Sequence, residues 1–252
     1  MRILNVILLL VVVMLFVNCD KGSVPVIPEG ERPVSGNDTL IYPVVTGKKD
    51  GNTYTYLALG DSYTIGQSVA VKSNFPHQTV SLLKKQGWDV CEPNIIAVTG
   101  WTTDNLESAI QTRSPSADYD VASLLIGVND QYVGYSLEHY RLGFEQLLKQ
   151  AIGFARGKAG HVVVLSIPDW GVTPFAAGRD RDAIAKEIDA FNEVNHKISR
   201  QYNVHYINIT PDTRQMANNP MLVASDGLHH SGDEYLVWSK KLATIMNGIF
   251  HE

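Results

Sequence analysis

The sequence predicts an α/β fold, a parallel β-sheet with helices on both faces. Three observations predict it. From Tyr54 onward, short apolar runs alternate with longer amphipathic ones. Three of the short runs, containing "IIAV", "LLIG" and "VVVLSI", are apolar at both alternating positions, as strands covered on both sides are. Polar, glycine-containing stretches follow the short runs, where the loops at the carboxyl edge of a parallel sheet gather.

The elements follow in order. A first strand over 54–59 ends at Gly60 in "LALGDSYTIG", where a residue without a Cβ permits an abrupt reversal and thrusts Ser62 out at the strand end. Taken alone, that serine suits helix capping, phosphate binding or nucleophilic attack. A second strand over 95–98 leads into "TGWTT" with Gly100, and a third over 121–126 leads into "GVND" with Asn129. A helix from Ser136 sets Tyr140, Phe144, Leu147 and Leu148 on one face. A fourth strand over 162–167 precedes the loop "PDWGVTPFAAGRDR", and a helix after Asp182 aligns Ile184, Ile188, Phe191, Val194 and Ile198. The fifth strand, 204–209, is followed by "SDGLHHSG". The last helix opens at "SGDE", where Ser231 caps and Glu234 reaches back, and it buries Tyr235, Trp238, Leu242, Ile245 and Ile249. No repeat interrupts residues 54–252, which read as one domain.

The chain before that domain has a different character. Residues 1–18 carry Arg2, then an unbroken apolar run from Ile7 to Val17 and a polar break at Asn18, the plan of a signal peptide. As a helix the run reaches about 16 Å against a hydrocarbon core of about 30 Å, too short for a permanent span. It ends in "FVNCD", and an apolar stretch before Cys19 resembles the lipobox of bacterial lipoproteins, although Phe16 and Asn18 depart from its usual residues. A lipidated Cys19 anchors the protein in a bacterial cell envelope; without lipidation the protein is secreted. Lipidation also takes Cys19 out of any disulfide, so the fold is expected to stand on its core, with Cys91 read as a small buried hydrophobe. Residues 19–53 hold four of the eleven prolines and no helical periodicity, a tether. The net charge of -5 over 252 residues, with no basic run, excludes a nucleic-acid binder, and a monomer is expected.

The loops carry the chemistry. A serine hydroxyl is a weak nucleophile and needs a base in hydrogen-bond reach, itself oriented by a third group. Asp226 and His229 lie three residues apart in a glycine-containing loop, so the carboxylate can accept the Nδ1 proton and leave Nε2 for Ser62. His230 is the neighbouring candidate, but the spacing from Asp226 favours His229. Charge on an attacked carbonyl oxygen needs donors, available from the backbone amides of Ser62 and Gly100 and the side chain of Asn129. Asp61 either tunes the nucleophile or supports its turn. Trp101, Trp170 and Phe175 either wall a substrate pocket or pack as plain core.

These blocks, "GDSYTIG", "TGWTT", "GVND" and "DGLH", resemble in order those of the SGNH hydrolases, also called GDSL esterases and lipases. The resemblance implies Ser62 as nucleophile, His229 as base and then acid, Asp226 as orienter, and Ser62, Gly100 and Asn129 as the oxyanion hole. It also implies a three-layer α/β/α, flavodoxin-like fold on a five-stranded parallel sheet, with no metal and no organic cofactor. Tyr63 replaces the usual leucine of G-D-S-L, which bears on substrate preference and makes Tyr63 a pocket candidate. The G-x-S-x-G elbow of α/β-hydrolases is absent. The expected function is a serine esterase acting through an acyl-enzyme on short-chain or O-acetyl esters of carbohydrate. Lysophospholipase, thioesterase or acyltransferase activity comes next, and a non-catalytic glycan-binding lipoprotein is the rival of another class.

Overall fold

Five parallel strands build the centre of the computed structural model, which describes residues 53–252. The signal peptide, the lipidation site Cys19 and the tether up to residue 52 lie outside the described residues. The strands are β1 (Tyr56–Gly60), β2 (Asn94–Ala97), β3 (Val121–Leu125), β4 (Val162–Leu165) and β5 (His205–Ile207), in the order β2-β1-β3-β4-β5. Every residue of β1, β3 and β4 is buried, which is why these runs are apolar at successive positions.

Each strand sits within a residue or two of its predicted place, and the shorter ends have a polar cause. Residues 166 and 167 leave β4 because the Asn192 side chain takes both Ile167 backbone groups, accepting from its N at 2.7 Å and donating to its O at 3.0 Å. Residues 208 and 209 leave β5 as Ser166 Oγ accepts from the amides of Ile209 and Thr210. Tyr54 pairs with Val90 in an isolated bridge instead of joining β1. Cys91 is half-buried beside it, less enclosed than expected.

Two helical groups cover the sheet. α2 (Phe75–Lys85) packs on α8 (Gly232–Ile249), while α5 (Leu137–Phe154) packs between α3 (Thr103–Arg113) and α6 (Arg181–Gln201). This is the three-layer arrangement expected. Ser136 caps α5 through the His139 amide at 3.1 Å. α6 begins before the predicted point because Asp180 takes the cap, accepting from Ala183 N at 3.0 Å. At α8 half of the expected capping box forms: Ser231 accepts from the Glu234 amide at 3.5 Å, but the buried Glu234 carboxyl turns inward and accepts from Trp238 Nε1 at 2.8 Å. The core is centred on Trp238, Tyr56, Tyr63, Tyr140 and Tyr235.

The register brings the carboxyl ends of the strands level. Gly60 pairs with Ala97 on one side and Leu125 on the other. Connections leave β1 and β3 in opposite directions, which opens a crevice above them. Two short helices start there, α1 (Ser62–Ile65) after β1 and α4 (Val128–Tyr132) after β3.

Candidate active site

Gly60 makes the turn into α1 possible. A Cβ there would sit 2.1 Å from Thr64 Oγ1 and 2.4 Å from Leu125 O, so only glycine fits. Asp61 caps α1, its Oδ1 accepting from Tyr63 N at 3.0 Å, and Gly66 closes the helix at φ 77°. The cap is therefore Asp61 and not Ser62, which removes helix capping from the uses open to the serine. The Ser62 hydroxyl makes no hydrogen bond among the described residues, and the residue is 5% exposed.

Asp61 itself is fully buried and its carboxyl is pushed up to about 8, chiefly by burial, against the lowering effect of the Tyr63 amide and with the nearby Asp130 adding to the rise. Its Oδ2 has no hydrogen-bond partner among the described residues. The structure thus places Asp61 as support of the turn.

β2 opens into Gly100, whose φ of 83° is the left-handed conformation glycine favours; space around it is open, so conformation alone asks for glycine. After β3, Gly127 at φ 126° turns the chain into α4, and a Cβ there would meet Tyr140 at 2.5 Å. Asn129 then donates Nδ2–H to Trp101 O at 2.9 Å, which aims its amide and ties α4 to the Gly100 loop. The buried Asp130 makes a second tie, accepting from Thr103 N at 3.0 Å and Thr103 Oγ1 at 2.5 Å. Burial pushes its carboxyl up, partly offset by these bonds.

His229 is 6% exposed and its Nδ1 lies 2.6 Å from Asp226 Oδ2. Oδ1 of Asp226 accepts from the amides of Leu228 and His229, each at 2.9 Å, and Oδ2 accepts from Ser68 Oγ at 2.5 Å. Burial pushes this carboxyl up, but the Ser68, His229 and amide hydrogen bonds outweigh it and hold it well below the usual carboxylate range. An ionised Asp226 fixes the ring proton on Nδ1 and leaves Nε2 able to accept.

The neighbouring His230 is arranged differently. It is fully buried, its Nδ1 rests 2.8 Å from Met216 Sδ, and burial, with His229 adding, pushes it down to about 3. It does not line the cavity.

Ser62, Gly100, Asn129 and His229 meet at one cavity of about 160 Å³. No hydrogen bond joins Ser62 Oγ to His229 among the described residues; such pairs are often loose in unliganded enzymes. The backbone N–H groups of Ser62 and Gly100 donate to nothing among the described residues. The remaining walls are apolar or aromatic: Tyr63, Val128, Tyr132, Trp170, Phe175 and Leu228, with Thr99 at one side. Trp101, a pocket candidate by sequence, does not line the cavity; its ring is half-buried under the Arg113 guanidinium at 5.9 Å, and its carbonyl holds Asn129.

Sequence reasoning missed Tyr132, Arg179 and Ser68. Tyr132 follows Asn129 by three residues on α4, a spacing that puts both on one helical face. The Arg179 guanidinium lies 5.2 to 5.4 Å from the rings of Tyr132, Trp170 and Phe175, and donates to Tyr132 Oη at 3.1 Å. Ser68 carries no pattern that marks it. Among the described residues no cluster of three His, Cys, Asp or Glu side chains could hold a metal ion, and no helix is long and apolar enough to cross a membrane.

Comparison with known proteins agrees with this architecture. A search of curated protein sequences finds no match. Among solved structures, a lipase/acylhydrolase from Enterococcus faecalis superposes with a TM-score of 0.61 at 17% identity, covering 77% of this chain and 96% of its own. The psychrotrophic esterase EstA from Pseudoalteromonas sp. gives 0.58 at 14% identity, covering 79% and 99%. Axe2, an acetylxylan esterase from Geobacillus stearothermophilus, gives 0.58 at 16%, covering 77% and 93%. At such identities the likeness carries the fold. The family model of the GDSL-like lipases and acylhydrolases matches residues 58–235, a span that contains all five loops lining the cavity, so this chain belongs to the GDSL-like lipase/acylhydrolase family of carboxylic ester hydrolases.

Proposed function

We propose that the protein is a serine esterase that works through an acyl-enzyme, with Ser62 as nucleophile, His229 as base and Asp226 as its orienter. The observation that carries this reading is the shared cavity of Ser62, Gly100, Asn129 and His229, with His229 bonded to Asp226 at 2.6 Å. In the first step Ser62 Oγ bonds to the ester carbonyl carbon as its proton passes to His229 Nε2. The carbonyl oxygen takes the negative charge and is met by the Ser62 and Gly100 amides and the second N–H of Asn129. Collapse breaks the bond to the alcohol oxygen, which leaves with the His229 proton. Water then attacks the acyl-serine by the same route, releasing the carboxylic acid and restoring Ser62.

Short acyl groups, acetyl first, fit best. A cavity of about 160 Å³ is smaller than the roughly 300–1,000 Å³ of sites that enclose drug-sized ligands, which disfavours a long acyl chain and hence the lysophospholipase reading. For the alcohol half we propose carbohydrate. The aromatic faces of Tyr132 and Phe175, both well exposed at the mouth, support it, and an acetylxylan esterase is among the structural neighbours. We further propose a lipid anchor at Cys19 in the cell envelope, on the apolar run that precedes it. A Cys19→Ala variant that takes up as much labelled fatty acid as the parent rules that anchor out.

The decisive experiment is labelling with a fluorophosphonate probe beside turnover of a generic acetyl ester. Ser62→Ala should lose the label and about 10⁶-fold in kcat. Parental turnover by Ser62→Ala ends the reading.

A further inference from the structure

We propose that Ser68 is a positioning residue for the Asp226–His229 pair, acting through the carboxylate and joining the loop of the nucleophile to the loop of the base. The inference rests on the esterase reading above. Ser68 lies six residues after Ser62 and 158 residues before Asp226, yet its Oγ donates to Asp226 Oδ2 at 2.5 Å. With Leu228 N and His229 N on Oδ1, and His229 Nδ1 beside Ser68 on Oδ2, the carboxylate accepts four hydrogen bonds, as many as its lone pairs provide. Three of the four come from its own loop. Ser68 is the contact that reaches across.

The backbone at Ser68 supports a dedicated role. Its φ is 68°, the left-handed region that residues with a Cβ seldom occupy. Glycine would sit there without strain, so the serine is held at some cost and what it adds over glycine is the hydroxyl. The segment is also anchored on either side. Gln67 N donates to Ser62 O at 2.9 Å, and Gln67 Oε1 accepts from Thr99 Oγ1 at 2.7 Å. Thr99 adjoins Gly100. Residues 67 and 68 therefore span from the serine turn to the Gly100 loop on one side and to the Asp226 loop on the other.

Two consequences follow for the reaction. The bond fixes which way Asp226 Oδ2, and with it the His229 ring, faces the nucleophile; a water in its place at this exposed carboxylate would exchange and would not tie the loops. The bond also draws off part of the carboxylate charge. The His229 ring is otherwise faced by the Tyr63 ring from α1 at 5.3 Å, with the neutral His230 beside it in the chain. Removing the Ser68 hydroxyl leaves Asp226 pulling harder on a protonated ring, so the acid limb of the rate profile moves to higher pH.

The test compares Ser68→Gly, which keeps the backbone turn and loses the hydroxyl, with Ser68→Ala, which loses the hydroxyl under strain. On p-nitrophenyl acetate both should lose roughly tenfold in kcat, the scale of one hydrogen bond to a charged group, with KM essentially unchanged and the acid limb of kcat/KM shifted upward. A Ser68→Gly enzyme with parental kcat overturns the proposal, and so does a fall in kcat with the acid limb in place, which is what a merely looser loop would give. Ser62→Ala assayed alongside separates the two readings: if it stays active the esterase assignment fails, whereas an inactive Ser62→Ala beside an unaffected Ser68→Gly sinks the positioning role alone.

Discussion

Burial sorts the titratable side chains beside the nucleophile and the base into opposite kinds. Asp61, immediately before Ser62, has its carboxyl raised from about 3.8 to about 8, and His230, immediately after His229, has its imidazole lowered from about 6.5 to about 3. Both are held neutral near neutral pH, which leaves Asp226 as the charged partner of His229. Their effects on stability run against each other. The folded chain keeps the Asp61 proton that the unfolded chain gives up, so this contribution is full below about pH 4 and is lost as pH rises toward 8. For His230 the unfolded chain takes a proton that the folded one refuses, so stability is lost as pH falls from about 6.5 toward 3. Asp61→Asn keeps an oxygen for the Tyr63 amide and removes the ionisation. Urea melts should therefore show the stability of this variant gaining on the parent as pH rises from about 4 to about 8; a difference that stays flat sinks the account. Composition and spacing mark Asp61 as an acid next to a serine, but only its complete burial says that it holds a proton.

At the scale of elements, the strands were readable because each is a short apolar run, and their ends were not because polar side chains from elsewhere take the backbone. Asn192, on α6, ends β4; Ser166, just past β4, ends β5. The striped helices α5, α6 and α8 were readable too, whereas α2 and α3, of eleven residues each, were not read from the sequence, and α1, α4 and α7 (Thr210–Arg214) have four or five residues, too few for a 3.6-residue period to register. Two of these short helices reach the site, α1 with Ser62 and α4 with Asn129. α4 depends on Gly127, where the left-handed turn and the Tyr140 and Ile167 side chains both exclude a Cβ. Gly127→Ala should lower the unfolding free energy by roughly 2 to 5 kcal/mol, the sum of backbone strain and overpacking, as read from the urea midpoint. Because α4 bears Asn129, the same variant should lose esterase turnover under conditions where it remains folded. A stable, fully active Gly127→Ala would show that the turn tolerates another path.

For the whole molecule, the order β2-β1-β3-β4-β5 decides where chemistry can occur. Ser62, Gly100, Asn129 and His229 come from four loops spread over 168 residue numbers, and the parallel register lifts all four to one edge. On the proposed esterase reading, a cavity of about 160 Å³ favours a short acyl half. Across p-nitrophenyl esters of rising chain length, kcat/KM should be highest for acetyl and fall as the chain outgrows the apolar walls of Val128, Leu228 and Phe175. A maximum at long chains would contradict the short-acyl reading.

By itself the sequence determined the α/β class, the approximate strands, and the serine, glycine, asparagine and histidine that line the cavity, because apolar periodicity and loop residues after strands are local properties of the chain. The tertiary structure alone decided the helix cap at Asp61, the turning-away of His230 toward Met216, the absence of Trp101 from the cavity, and the reach of Ser68 to Asp226. Burial and contacts between residues far apart in sequence are products of packing, and no local pattern encodes them.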